Sequence, residues 1–120
     1  MPASPEFLEH LTDMLAPMGP VVARRMFGGA GLFREGLMFA LIADDILYFK
    51  ADDGNRAAFE DAGMAPFTYE KQGKPAALSY FEAPPDAMDD AEVMLDWARG
   101  AWEAALRANA GKAKKKRKRK

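Results

Sequence analysis

Arg24-Arg25-Met26-Phe27-Gly28-Gly29-Ala30-Gly31-Leu32-Phe33, then Leu37-Met38-Phe39-Ala40-Leu41-Ile42-Ala43, then Ile46-Leu47-Tyr48-Phe49-Lys50, is the stretch whose reading decides the fold. Glu35-Gly36 separates the first apolar run from the second, and Asp44-Asp45 separates the second from the third. Short apolar runs joined by two-residue polar turns predict an antiparallel meander. The middle run shows no alternation of apolar and polar residues, which predicts a central strand covered on both faces or nearly so. Phe39 and Leu41 are expected to share the face under the helices, because side chains two apart along a strand point the same way.

Outward from this stretch, the remaining elements follow from local chemistry. Ser4-Pro5-Glu6 reads as a helix start: a capping hydroxyl, a proline where no amide hydrogen is needed, and an acid at the positive end of the helix. Phe7, Leu8, Leu11, Met14, Leu15 and Met18 recur at helical spacing, and Pro17-Met18-Gly19-Pro20 should end the helix. Asp52-Asp53-Gly54-Asn55 offers caps for a short helix through Ala57, Ala58, Phe59 and Ala62, with Gly63 as its terminating residue. Phe67 to Glu70 and Ala76 to Glu82 form a second predicted hairpin around a Lys71-Gln72-Gly73-Lys74 turn, which Ala83-Pro84-Pro85 should close. Asp89-Asp90-Ala91-Glu92 is a candidate capping box for a long alanine-rich helix. That helix carries Met94, Leu95, Trp97, Ala98, Ala101, Trp102 and Ala105 as its apolar stripe and should stop at Asn109-Ala110-Gly111.

The predicted fold class is therefore α+β. An antiparallel sheet of about five strands carries helices on one face, in the order α-β-β-β-α-β-β-α. At 120 residues, 49% hydrophobic and 29% charged, the chain is expected to form one domain over residues 1–111. There is no cysteine, so disulfides, thiolate metal sites and cysteine nucleophiles are excluded. No apolar run approaches the length of a membrane-spanning helix, and the N-terminus shows no basic region of a signal peptide. The expected compartment is the cytoplasm, with no membrane partner.

The net charge of −1 conceals two parts. Residues 112–120 hold eight of the 17 cations and no acid, which leaves nine cations against all 18 acids elsewhere, a charge of −9. The cationic segment contains no apolar residue larger than alanine and is expected to be a disordered tail. Lys112, Lys114, Lys115, Lys116, Arg117, Lys118, Arg119 and Lys120 are candidate nucleic-acid contacts, since clustered cations displace counterions from any polyanion.

Within the body, Arg24 and Arg25 point to opposite faces of a strand. One can face the core side, which leaves the other for an acidic partner or phosphate. Gly28-Gly29-Ala30-Gly31 has the glycine density of a phosphate-cradling loop, but no Lys-Ser or Lys-Thr follows and strands rather than a helix come next. A kink in a long edge strand, or a close backbone approach, is the expected role. The single histidine, His10, falls off the apolar stripe of its helix and has no nucleophile or metal partner nearby in sequence. Asp44-Asp45 and Asp52-Asp53 stand at turns and caps without the pattern of an oxygen-ligand loop. No cofactor or metal is expected, the two tryptophans are assigned to core packing, and no catalytic motif is found.

Arg24-Arg25-Met26-Phe27-Gly28-Gly29-Ala30-Gly31, Met38 to Ile42 and Leu47-Tyr48-Phe49-Lys50-Ala51-Asp52 together resemble the N-terminal domain of the TfoX/Sxy family of bacterial competence regulators. The resemblance continues through Pro66-Phe67-Thr68-Tyr69, Tyr80-Phe81-Glu82-Ala83-Pro84 and Trp97-Ala98, and covers about residues 5–108. It implies a fold similar to that of secretion chaperones and a regulatory role beside the transcription machinery. A protein-interaction or homodimerisation module without nucleic acid is the alternative expectation, suggested by that fold and an exposed sheet edge.

Overall fold

Pairs of left-handed residues set the strand reversals. Glu35 and Gly36 (φ 50° and 81°), Asp44 and Asp45 (53° and 58°), and Gln72 and Gly73 (54° and 78°) all stand at positive φ. This is the requirement of type I′ turns, whose twist matches that of the flanking strands. The computed structural model describes residues 3–26 and 28–118, except the side chains of 69–71, 74–78 and 112–118. Six strands result: β1 (Val22–Met26), β2 (Gly29–Arg34), β3 (Leu37–Ala43), β4 (Ile46–Lys50), β5 (Pro66–Lys71) and β6 (Lys74–Glu82). They form one antiparallel sheet in the order β1-β2-β3-β4-β6-β5.

The sixth strand arises at the glycine cluster. A single kinked strand was expected there, but the chain reverses after Met26, with Gly28 at φ 76°, and Met26 pairs directly with Gly29. Gly28 supplies the left-handed conformation that lets the apolar run fold back on itself.

A second departure lies in β3. Leu32 pairs with Ala40 while Phe33 pairs with Met38, so Phe39 is an extra residue, a β-bulge. The bulge breaks the alternation that placed Phe39 and Leu41 on one face. Phe39 is fully buried against the helices, with its ring edge-on to Trp102 (centroids 6.2 Å, 85°). Leu41 lies on the opposite face, flanked in register by Gly31 and Tyr48. Phe39, Ala40, Leu41 and Ile42 are nonetheless all buried, as a central strand requires.

Four helices cover one face: α1 (Pro5–Leu15), α2 (Arg56–Asp61), α3 (Pro85–Asp89) and α4 (Ala91–Lys118). The Ser4 hydroxyl accepts from the Phe7 amide (3.2 Å) to start α1, and a 3₁₀ turn over Ala16–Met18 ends it. Leu11 and Leu15 are fully buried. α4 lies over β3 and β4, where Met94, Ala98, Ala101 and Trp102 enter the core. Its alanines let the helix approach the sheet closely. Phe59 of α2 stacks on Phe81 (5.4 Å) and meets Trp97 at a tilt (4.7 Å, 42°), so both tryptophans pack inward.

The helix count differs from the expected three because Pro85 occupies a first helical turn rather than only ending a strand. The cap of α4 is Asp90, whose carboxylate accepts from the amides of Glu92 (2.9 Å) and Val93 (3.3 Å). At its other end α4 passes through Asn109-Ala110-Gly111, where it was expected to stop, and reaches Lys118. Alanine, lysine and arginine are strong helix formers, and cations suit the negative end of a helix dipole. Among the described residues, no helix is long and apolar enough to cross a membrane.

Candidate functional site

The β1–β2 hairpin separates the two arginines as strand alternation requires. Arg25, in register with Ala30 of the buried face, donates from Nη1 to the carbonyl of Ala3 (2.7 Å) and ties the segment before α1 to the sheet edge. A second tie lies beside it: the Ser4 amide donates to Asp45 Oδ1 at the β3–β4 turn (2.7 Å). Arg24 points to the other face, where its guanidinium lies 5.4 Å from the Phe33 ring centroid. Arg25 thus has a structural partner, while Arg24 is exposed over Phe33.

The glycines nearby are held by geometry. A Cβ on Gly29 would collide with the Ile42 carbonyl oxygen, and one on Gly31 would lie 2.6 Å from the Met38 sulfur. Close backbone approach and side-chain packing therefore account for these two positions without an anion.

Two further cation sites were not legible in the sequence. Arg34 lies over Trp102, 4.9 Å from the ring centroid, with its Nε enclosed and without a hydrogen-bond partner among the described residues. Arg107 on α4 forks onto Asp52, donating from Nε to Oδ2 (2.6 Å) and from Nη2 to Oδ1 (2.7 Å). This bond holds the Asp52 carboxyl below its ordinary range, helped by the Gly54 and Asn55 amides, while partial burial opposes the effect. Gly54 makes room for the fork, since a Cβ there would sit 2.7 Å from Arg107 Nη2. Asn55, one of the four cap candidates, stands at the N-cap position of α2, but its side chain does not cap the helix. It instead accepts from the Asp52 amide (2.7 Å) and donates to the Lys50 carbonyl (3.0 Å), so the whole β4–α2 loop is locked to α4.

The open face of the sheet carries a third group. Lys50 lies 5.2 Å from the ring centroid of Tyr80, whose hydroxyl is pushed by burial up to about 12. Tyr48 packs edge-on to Phe67 (4.9 Å), and its hydroxyl is raised by burial and by the charge of Glu82. Register alone decides that these residues meet, so no local motif could have revealed them.

His10 is exposed on α1. Among the described residues, no three His, Asp or Glu side chains converge as a metal site. Asp45 and Asp52 are used by Ser4 and Arg107. The side chains of Lys112, Lys114, Lys115, Lys116, Arg117 and Lys118, together with Arg119 and Lys120, lie outside the described residues.

The class of protein is thus a two-layer α+β domain with a six-stranded antiparallel sheet, helices on one side and an open, aromatic-rich sheet face on the other. Residues 13–105 match the profile of the TfoX N-terminal domain, and the chain belongs to that family. A curated relative, DNA transformation protein TfoX1 of Aliivibrio fischeri (strain ATCC 700601 / ES114), is 35% identical over 74 residues. That alignment covers 62% of this chain and 35% of the relative, so the chain spans about a third of the relative's length.

Proposed function

We propose that this chain is a non-enzymatic regulatory domain of bacterial competence. In this reading it acts in the cytoplasm through a protein partner of the transcription machinery, and residues 112–120 add sequence-independent attraction to nucleic acid. The observation that carries the reading is membership in the TfoX N-terminal domain family, with a relative named for DNA transformation. The absence of cysteine and the isolated, exposed His10 support a non-catalytic role.

The physics of the basic segment supplies the nucleic-acid part. If about six of its eight cations engage phosphates, affinity falls on the order of a thousandfold between 50 and 200 mM salt. Phosphate contacts carry no base information, so sequence choice belongs to the partner.

Fluorescence anisotropy of duplex DNA with the full chain, and with residues 112–120 removed, tests this. The full chain should bind with a steep salt dependence and the shortened chain should lose most of that binding. Equal affinity of the two, or no binding by the full chain at low salt, would overturn the nucleic-acid part. The second reading, a protein-interaction module alone, is favoured by the open sheet face. It predicts partner binding that is indifferent to removal of residues 112–120.

A further inference from the structure

Register arranges the open sheet face in a way that local sequence does not show. Arg24, Gly31, Leu41, Tyr48 and Glu82 are successive neighbours across β1, β2, β3, β4 and β6. Side chains place them on one face: Arg24 lies over Phe33, Met38 and Phe33 crowd the empty side of Gly31, and Tyr48 faces Glu82. At about 4.8 Å between strands, the row is about 19 Å long, with a cation at one end, an acid at the other and Leu41 of β3 midway. Neither Arg24 nor Glu82 has an ion-pair partner among the described residues. Among the described residues, two of the three exposed large apolar side chains, Val22 (55%) and Ile46 (37%), stand on this same face.

We propose that a second copy of this chain packs on this face, sheet against sheet, about a two-fold axis running along β3. That axis keeps the strands of the two sheets aligned, as stacked sheets prefer. It also reverses the row, so that Arg24 of each protomer meets Glu82 of its partner, and Leu41 meets Leu41. A two-fold axis across the strands would instead set Arg24 on Arg24. An acidic peptide would satisfy Arg24 but meet Glu82 as a like charge. The occupant that satisfies both ends carries the reversed order of charges, and the same face turned about is such a surface. The contact also covers Val22 and Ile46. It makes no use of residues 112–120, so it stands apart from the nucleic-acid reading.

Sedimentation equilibrium of the full chain, the single variants Arg24→Glu and Glu82→Arg, and the double exchange tests the geometry. The natural chain should dimerise, and each single variant should weaken the dimer about tenfold or more, since both symmetry-related pairs become repulsive. The double exchange should recover association to within about threefold, because it restores opposite charges at both ends. A natural chain that stays monomeric at concentrations on the order of 100 µM overturns the proposal, and so does a double exchange no better than the singles. Thermal melting of each variant reports folding. A second readout covers a variant that does not fold: in this cysteine-free chain, Met38→Cys lies beside the axis and should be joined to its partner by a short bis-maleimide, whereas Glu9→Cys on α1 should not. Absence of the Met38→Cys cross-link would equally sink the arrangement.

Discussion

Gly29 shows how one missing side chain fixes a fold. The left-handed backbone belongs to Gly28, at φ 76°, whereas Gly29 is required because the Ile42 carbonyl occupies the place of its Cβ. Gly29→Ala must push β2 from β3 and should cost about 1–3 kcal/mol, the range of overpacking in a close-packed interior. Urea unfolding of the variant checks this, and a loss below about 0.5 kcal/mol would mean that the strands part freely. Phe39 is the complementary case. As the bulged residue it reaches the helix layer and meets Trp102, so Phe39→Ala should cost about 3–5 kcal/mol and alter the tryptophan fluorescence. A surface-like effect would place the bulge elsewhere.

At the scale of elements, the Asp52–Arg107 fork joins the β4–α2 loop to α4 with two charge-assisted hydrogen bonds. The ordinary Asp52 carboxyl titrates near 3.8 and the folded one lower, so the folded state holds its proton less tightly than the unfolded state does. The stabilisation is therefore complete above the ordinary value and is lost as pH falls through the folded one. Asp52→Asn should lower the melting temperature by a constant amount between about pH 5 and 7, and the difference should shrink below 3.8. A difference that instead grows on acidification would show that the fork is not the group responsible. Such long-range ties were not legible in the sequence, because Asp52 and Arg107 stand 55 residues apart and each looks like an ordinary cap or solvated residue. The turns at Glu35-Gly36 and Asp44-Asp45 were legible, since their residue types tolerate left-handed backbone, and the third was legible as Lys71 to Lys74, of which Gln72 and Gly73 take that conformation. The β1–β2 reversal was not, because it lies inside an unbroken apolar and glycine run with no polar pair to mark it. The bulge escaped for a related reason: strict alternation assumes a perfect ladder, and only pairing with β2 shows the extra residue. Alternation did divide Arg24 from Arg25, but which one met the core depended on where Ala3 lies, a fact of tertiary structure.

At the scale of the whole molecule, the charge division controls what the chain attracts. The body at −9 opposes the approach of any polyanion to the cationic segment, and the opposition depends on distance and salt. α4 connects the two parts and carries acids at graded distances from Lys112. Along a helix rising 1.5 Å per residue, Glu103 stands about 13 Å from Lys112 and Glu92 about 30 Å from it. The screening length is about 10 Å at 0.1 M salt and about 3 Å at 1 M. At 50 mM it is about 14 Å, so at that salt Glu103 is close enough to be felt by DNA held at the basic segment, while Glu92 is not. Glu103→Gln should tighten duplex binding about twofold at 50 mM salt, the scale of one weakly screened charge at this separation. Glu92→Gln should leave it unchanged, and the gain from Glu103→Gln should vanish as salt approaches 1 M. Anisotropy titrations of the two variants at three salt concentrations decide the matter. Equal gains from both would mean that net charge alone governs binding, and no gain from Glu103→Gln would place the bound DNA away from the end of α4.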